Sequence, residues 1–272
     1  MKLSAGFMKR VTENVKKYQG IVTQIKKKDA NESDTVTVIT DILSDVFGYN
    51  KYTEITSEYS IKGTYCDLAI IGPNKKIRFL IEAKAISVTL NESHIKQAID
   101  YGSNAGVNWV ILTNAEHWMI YKIKFAQPID KELVYEFNLL DFTGKKDKEF
   151  EVIFAISKEG QDNTAIDDFY TNIQIKNKFI IGNLLNSEDV YSVIRRNMKK
   201  LFSDIKITDE EIADMMANDI IKREIIDSEE SKKAKKDIEK MYKKLEKAKG
   251  TTAKETPDPQ EKVETADNSM EE

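Results

Sequence analysis

The chain opens with two segments in which apolar residues recur every three or four positions. In the first segment, residues 7–28, these are Phe7, Val11, Val15, Tyr18, Val22 and Ile25. In the second they are Val36, Ile39, Ile42, Leu43, Val46 and Phe47. This spacing predicts two amphipathic helices, the second capped by Asn31 and ended by Gly48. We expect the two helices to pack together.

After residue 50 the pattern becomes that of strands. Residues 52–61, 65–71 and 77–86 form short runs rich in β-branched and aromatic side chains, which favours β-structure. The intervening sequence GPNKK, from Gly72 to Lys76, is typical of a turn. We therefore predict a strand followed by a hairpin.

The next elements complete a sheet. Residues 91–103 return to helical spacing with Asn91 as a cap, 107–113 are nearly all apolar, and 117–123 alternate. Residues 132–138 predict a further edge strand. The resulting order of helices and strands predicts an α/β fold, a mixed β-sheet flanked by helices.

From residue 146 onward the pattern is mostly helical. Residues 150–156 fit a helix or an alternating strand equally well, and we predict a helix. Further helices are predicted over 173–185, 190–202 and 212–226, with Ser187 and Thr208 as plausible caps. We expect a first domain over 1–145 and a helical C-terminal region over 146–227.

Charge separates the two segments that follow. Residues 228–250 carry nine lysines and five acidic residues with a thin apolar seam, which predicts a solvated charged helix. Residues 251–272 carry two lysines, seven acidic residues and two prolines, which predicts a disordered acidic tail.

Composition excludes several classes of protein. No apolar run approaches the roughly 18 residues of a membrane span, so a cytoplasmic protein is expected. Cys66 has no second cysteine to pair with, and with only His94 and His117 it cannot complete a zinc site. There is no phosphate-binding or dinucleotide-binding glycine motif, which disfavours a nucleotide-driven motor or a dehydrogenase.

The hairpin carries the strongest candidate chemistry. Glu82 and Lys84 are two apart and project from one face of a strand, and pairing across the turn brings Asp67 level with Glu82. Such charges within an apolar sheet are costly unless they are compensated. Carboxylate oxygens suit Mg²⁺, so the pattern indicates metal-dependent phosphodiester hydrolysis. The alternative is a surface Glu/Lys pair beside a strand-edge aspartate.

The residues GTYCDLAIIGPNKKIRFLIEAKA resemble the PD-(D/E)xK nuclease core. More narrowly, residues 28–125 are similar to the N-terminal nuclease domain of the R subunit of type I restriction enzymes. The resemblance implies that Asp67, Glu82 and the Ala83 carbonyl bind Mg²⁺, with Mn²⁺ as a substitute. It also implies that Lys84 assists the attacking water and that Glu32 supports a second cation or orients that water.

Two further sets of residues concern the substrate. Gln97 and Tyr101 match the Q-x-x-x-Y helix of this family and would position the substrate, or else simply pack against the sheet. The first helix is either a solvated face or a DNA-binding face, the DNA-binding candidates being Lys9, Arg10, Lys16 and Lys17. A lone histidine is more often structural, and we expect this of both histidines.

The resemblance thus predicts a Mg²⁺-dependent DNA endonuclease that lacks the R subunit's helicase motor. Its expected partners are DNA and other subunits of a restriction or defence complex, with self-association as a further possibility and no membrane. The alternative is a catalytically silent nuclease fold that binds nucleic acid or a partner protein.

Overall fold

The computed structural model describes residues 3–61, 64–161, 164–204 and 206–252. The chain divides into two compact units, Met1–Gln174 and Ile175–Glu272. The predicted acidic tail, residues 251–272, lies outside the described residues except for its first two, which end the last helix. In the described part of the chain, no helix is both long and apolar enough to cross a membrane.

The first unit begins with the two predicted helices, α1 (Ala5–Lys27) and α2 (Glu32–Asp45). The Asn31 side chain caps α2 by accepting a hydrogen bond from the backbone of Asp34 at 2.9 Å. Gly48 follows α2 with φ of 83°, a conformation that favours glycine. The predicted cap and the predicted end of α2 are therefore both confirmed.

Six strands in the described residues form one mixed sheet, which confirms the predicted fold class. They are β1 (Ile55–Ile61), β2 (Thr64–Ile71), β3 (Ile77–Ala83), β4 (Trp109–Thr113), β5 (His117–Lys124) and β6 (Asp130–Asn138). Their spatial order is the chain order, and only the β3–β4 pair is parallel. A parallel pair needs a crossover, which α3 (Lys96–Ala105) provides.

Strand β1 and helix α3 both begin later than predicted, and for the same reason. The Asn50 side chain accepts hydrogen bonds from the backbone of Tyr52 and Thr53, so these residues form a turn and β1 begins at Ile55. Asn91 likewise accepts from the backbone of Ser93 at 2.9 Å, and α3 begins at Lys96. The prediction that Asn91 caps this helix was wrong, because its side chain closes a local turn instead.

The sheet separates two cores. The larger one lies between one sheet face and α1, α2 and two later helices, and the smaller one between the other face and α3. The two later helices are α4 (Asp147–Ile156) and α6 (Ala165–Ile175), and the short helix α5 (Lys158–Gln161) comes between them in the chain. Phe150, Val152 and Ile153 of α4 are buried in the larger core. The first unit thus extends past the expected boundary at residue 145.

The regular elements described in the second unit are all helical. Its elements are α7 (Lys178–Leu185), α8 (Glu188–Leu201), α9 (Asp209–Met215), a π-helical turn (Met216–Ile220), α10 (Arg223–Ile226) and α11 (Glu229–Thr252). Tyr191, Ile212, Met216 and Ile221 form its core. Thr208 caps α9 in a reciprocal capping box with Glu211, whereas Ser187 precedes α8 without a side-chain cap. The helix predicted over 173–185 is interrupted before Asn177, whose side chain caps α7.

Candidate active site

The β2–β3 hairpin positions two of the predicted carboxylates. Leu68 lies opposite Ile81 and Ala69 opposite Leu80, which is the register expected from the turn. One step further along this register, Asp67 reaches the end of β3, where its Oδ2 accepts a hydrogen bond from the Ala83 backbone at 2.7 Å. The hairpin therefore brings Asp67 beside Glu82.

The Lys84 ammonium group lies at the centre of the candidate site. Its Nζ is 2.7 Å from Glu82 Oε1 and 2.7 Å from the Ala83 carbonyl oxygen, to both of which it donates hydrogen bonds. It is also 3.9 Å from Asp67 Oδ2 and 3.8 Å from Glu32 Oε2. One ammonium thus faces the three carboxylates and the carbonyl that the sequence singled out.

Burial gives this cluster its electrostatic character. Glu82 is only 7% exposed, and burial raises the pKa of its carboxyl, aided by the nearby Asp67, despite the hydrogen bond from Lys84. Burial acts to lower the pKa of Lys84, but the hydrogen bond to Glu82 and the surrounding carboxylates outweigh it and raise that pKa. Three carboxylates sharing one ammonium leave excess negative charge, which favours a further cation.

A buried threonine connects Glu32 to the rest of the cluster. Thr35 lies one helical turn after Glu32 and is fully buried. Its hydroxyl donates to the Asn31 carbonyl at 2.8 Å and accepts from the Ile86 backbone at 3.2 Å. The start of α2 is therefore fixed to the segment just after Lys84. Sequence reasoning missed Thr35, although a polar residue four positions before Ile39 on an apolar helix face was an available signal.

The second strand that supports the site is β4. The Lys84 backbone donates a hydrogen bond to the Thr113 carbonyl at 2.9 Å, which continues the parallel β3–β4 pairing by one step. Because parallel strands end at the same edge, Lys84 and Asn114 begin their loops side by side. The site thus lies at the carboxyl ends of the central strands.

The donor atoms of the cluster fit a hard divalent cation. All four are oxygens, and Mg²⁺ usually takes one or two protein carboxylates and completes its shell with water and substrate phosphate. In the described residues, no group of three or more His, Cys, Asp or Glu side chains is arranged to hold a metal alone. Asp67, Glu82 and the Ala83 carbonyl form a partial site of the kind Mg²⁺ uses, provided that Lys84 withdraws from its two contacts.

The structure places Gln97 and Tyr101 against the first two strands. Gln97 Nε2 donates to the Tyr65 carbonyl at 3.1 Å, and the buried Tyr101 hydroxyl donates to the Tyr59 carbonyl. These contacts fit the alternative in which α3 packs polar residues against the sheet. A role of the two residues in substrate positioning stays a prediction.

Cys66, next to Asp67, is not a candidate nucleophile. It is 1% exposed, and its Sγ lies 3.2 Å from the Ile81 carbonyl oxygen. Burial raises the pKa of the Cys66 thiol to about 12, with further contributions from Glu82 and Asp67. The thiol therefore remains protonated at neutral pH and behaves as a small apolar side chain.

The proposed DNA-binding residues of α1 differ in their surroundings. Arg10 pairs with Glu159 and lies over the Phe7 ring, so a DNA contact by Arg10 would require that ion pair to open. Lys17 donates to Asp45 at 2.8 Å. Lys9 is 3.9 Å from Glu13 and its side chain is well exposed, as is Lys16. DNA binding by these four residues stays a prediction.

Their position along α1 also matters. The helix rises about 1.5 Å per residue, so Lys17 lies about 15 Å, and Lys9 about 27 Å, from the α1 end that leads to Glu32. Lys26 lies at that end and pairs with the buried Glu116 at 2.5 Å. Lys26 is not among the DNA-binding candidates predicted from the sequence.

The two histidines occupy different environments. Asn91 donates its backbone hydrogen to His94 Nδ1 at 3.3 Å, within the turn before α3. The exposed His117 has Nε2 3.6 Å from Glu116 Oε1 and 3.4 Å from Asn138 Nδ2. His94 therefore has a local structural contact, whereas His117 lies at the surface beside a buried carboxylate.

Comparison with known proteins identifies the segment that holds this cluster. Residues 32–134 match a family model described as type I restriction enzyme R protein N terminus. No curated protein and no solved structure matches the chain. The matched segment runs from the start of α2 into β6 and includes Glu32, Asp67, Glu82 and Lys84. The resemblance predicted from the sequence is thereby confirmed: residues 32–134 are similar to the N-terminal family of type I restriction enzyme R proteins.

Proposed function

We propose that this chain is a Mg²⁺-dependent DNA endonuclease of the type I R-subunit nuclease-domain kind. The observation that carries the proposal is the set of oxygens around Lys84, in which Glu82, Asp67 and Glu32 all approach one ammonium within 4 Å. A purely structural ion pair needs one carboxylate for each ammonium. The excess of carboxylates at the end of a buried strand is instead suited to a catalytic cation.

The proposed roles follow from the contacts. Asp67, Glu82 and the Ala83 carbonyl would hold Mg²⁺, or Mn²⁺ in its place. The ion would supply Lewis-acid chemistry and lower the pKa of bound water. Asp67 is already oriented by its hydrogen bond from the Ala83 backbone. Little rearrangement of the two strands would therefore be needed to bind the ion.

Lys84 would act on the substrate. Released from Glu82 and Ala83, its ammonium would donate to a nonbridging phosphate oxygen and stabilise the negative charge that develops there. Glu32 would orient the attacking water. The water oxygen would form the new bond to phosphorus and release a proton to solvent, the ester P–O bond would break, and the leaving oxygen would take up a proton from solvent.

The alternative function is a catalytically silent module that binds nucleic acid or a partner protein. One observation favours it: Lys84 donates to two of the oxygens that a cation would need. If the ammonium never withdrew, the cluster would be a closed ion network. DNA and other subunits of a restriction or defence complex, or a second copy of this chain, are the proposed partners under either function.

Cleavage of plasmid DNA tests the proposal. We expect the full chain to nick or cut the plasmid with Mg²⁺ or Mn²⁺ and to do neither with EDTA. Lys84→Ala should lower the rate by on the order of 10²-fold or more, because a transition-state donor is lost. Lys76→Ala, which removes an exposed lysine from the same hairpin, is the matched control and should cleave normally.

Two outcomes would contradict the proposal. Wild-type rates with Lys84→Ala would refute the role of the ammonium group. DNA that is bound but never cut, with any divalent cation and with or without a partner, would favour the silent module.

A further inference from the structure

A groove of about 940 Å³ lies in the first unit beside the candidate active site. One wall is the segment Ile86–Leu90, which follows the end of β3, and another is the β4–β5 turn. The end of β6 and the start of α4 complete it, with Tyr135, Phe137 and Phe142 in the lining. Its volume lies within the roughly 300–1,000 Å³ range of small-molecule sites.

The groove begins next to the catalytic strand end. Asn114 holds the first wall in place, because its Nδ2 donates to the Ile86 carbonyl at 3.3 Å and to the Val88 carbonyl at 3.0 Å. Ile86 is two residues from Lys84, so their Cα atoms are at most about 7 Å apart. Phosphates along one DNA strand rise about 3.4 Å per nucleotide. The Ile86 end of the groove is therefore close to Lys84, whereas Phe137 on β6 lies three strands from β3, about 14 Å across the sheet. The aromatic residues are thus within about four nucleotides of a phosphate that faces Lys84.

The charges in the groove do not favour a phosphate as its occupant. Three lysines and four acidic residues line it, and they largely offset one another. Lys26 pairs with the buried Glu116, and Lys146 lies 4.0 Å from Glu149. The positive and negative side chains around the groove therefore nearly cancel. Such a lining suits an uncharged occupant with polar edges.

The aromatic lining favours a flat occupant. Phe137 is stacked on Trp118 with ring planes 8° apart and centroids 6.1 Å apart, which braces it from one side. Phe137 and Phe142 are only half-buried, so each keeps part of its surface exposed. The exposed His117 and the neighbouring Asn138 provide polar groups at the same end of the groove. Aromatic walls with a few polar groups are the usual environment of an unstacked nucleobase.

We propose that this groove binds a nucleobase extruded from DNA, within about four nucleotides of the phosphate that Lys84 faces. The inference rests on the proposed function for its substrate, DNA, but not on cleavage. It assigns to the groove a part in selecting the DNA, because an extruded base is read by its edges and by its size.

Affinity for mismatched DNA tests the proposal. Ca²⁺ replaces Mg²⁺ so that binding is measured apart from cleavage, and duplexes with one mismatched pair are compared with fully paired ones. Since a mismatched base costs less to unstack, we expect the mismatched duplexes to bind about tenfold more tightly than the fully paired ones. Thr89→Trp, at an exposed position in the groove wall, should remove this preference and leave affinity for paired DNA unchanged. Thr53→Trp, at an exposed turn outside the groove lining, is the control and should keep the preference.

Photochemical crosslinking then locates the base. A 5-iodouracil at the mismatch should crosslink to Tyr135, Phe137 or Phe142, as identified by mass spectrometry. The proposal is overturned if the mismatch gives no preference, if the preference survives Thr89→Trp, or if the crosslink lies outside the groove. Base binding without any cleavage would reject only the nuclease proposal, whereas cleavage without a mismatch preference would reject only the groove.

Discussion

Two buried glutamates, one at the end of β3 and one in the β4–β5 turn, show how differently this fold treats a carboxylate. Glu116 is 5% exposed and accepts hydrogen bonds from Lys26 and Asn138, which outweigh burial and lower its pKa. Glu82 is 7% exposed, yet its pKa is raised because burial dominates and Asp67 and Glu32 share its lysine. Two carboxylates of similar surface exposure thus differ, one being satisfied by its partners and the other standing to gain from a further cation.

The comparison separates a structural ion pair from a candidate site. Glu116 has its own lysine and an amide partner, so a metal would add little to its stability. At Glu82 the fold keeps three carboxylates on one ammonium, an arrangement that costs folding free energy and that proteins retain at functional sites. We infer that the cluster around Lys84 is kept for binding a cation.

The largest expected effect concerns metal affinity. Glu82→Gln should weaken Mn²⁺ binding by more than the roughly 10–100-fold that loss of an outer-shell partner costs, because a direct ligand is removed. Glu116→Gln should bind Mn²⁺ as the wild type does. Isothermal titration calorimetry of both full-length variants measures the difference. Equal losses of affinity in the two variants would erase the distinction drawn between the two glutamates.

The next effect concerns the link between α2 and the site. Thr35→Val removes the hydroxyl that bridges the Asn31 carbonyl and the Ile86 backbone, leaving a buried N–H without that partner. We expect it to lower the free energy of unfolding by about 1–3 kcal/mol and also to slow DNA cleavage, since Glu32 would no longer be held near Lys84.

Thr37→Val is the control for this substitution. Thr37 is exposed on the same helix and donates to the Ser33 carbonyl, at 3.1 Å. Its stability in urea denaturation and its rate of plasmid cleavage should both be close to those of the wild type. If Thr35→Val lost stability but cleaved at the wild-type rate, the link to Glu32 would have no part in catalysis.

The smallest effect is on the free energy of unfolding, measured in EDTA at pH 7. Substituting the two glutamates should change it in opposite directions. Glu116→Gln should lower the free energy of unfolding by about 1 kcal/mol, since it removes a favourable charge. Glu82→Gln should raise it, because the charged form of Glu82 is disfavoured by folding. Two destabilised variants would show that the cluster around Lys84 is as well satisfied as the Glu116 pair.

Glu116 and Glu82 should affect the free energy of unfolding in opposite directions as the pH falls. The lowered pKa of Glu116 gives stability that is complete above the ordinary value of 4.5 and is lost as pH falls below it. The raised pKa of Glu82 gives a penalty that is present above its folded-state pKa and disappears as pH falls towards 4.5. Urea midpoints of the wild type and each variant between pH 3 and 7 would show both effects.

The site could be predicted from sequence because its main contacts are local. Glu82 and Lys84 are two residues apart on one strand, and the short turn at Gly72–Lys76 fixes the register of Asp67. The acid-x-Lys spacing alone was not sufficient: Asp204 and Lys206 share it, but both are exposed and are not flanked by buried strands. The apolar residues around the hairpin distinguished the two.

What the sequence could not predict depends on contacts between distant parts of the chain. The Arg10–Glu159 pair joins residues 149 positions apart, and α4 packs on the sheet through a segment whose pattern fitted helix and strand equally. The bridging hydroxyl of Thr35 depends on where the segment after β3 runs in space. Such contacts follow from tertiary packing and leave only a weak local signal.

Anomalous scattering from a crystal soaked in Mn²⁺ tests the central claim most directly. We expect one peak between the carboxylates of Asp67 and Glu82 and the Ala83 carbonyl oxygen, with the Lys84 ammonium withdrawn from both of its present acceptors. An absent peak at that position, with Lys84 still donating to Glu82 and Ala83, would contradict the account.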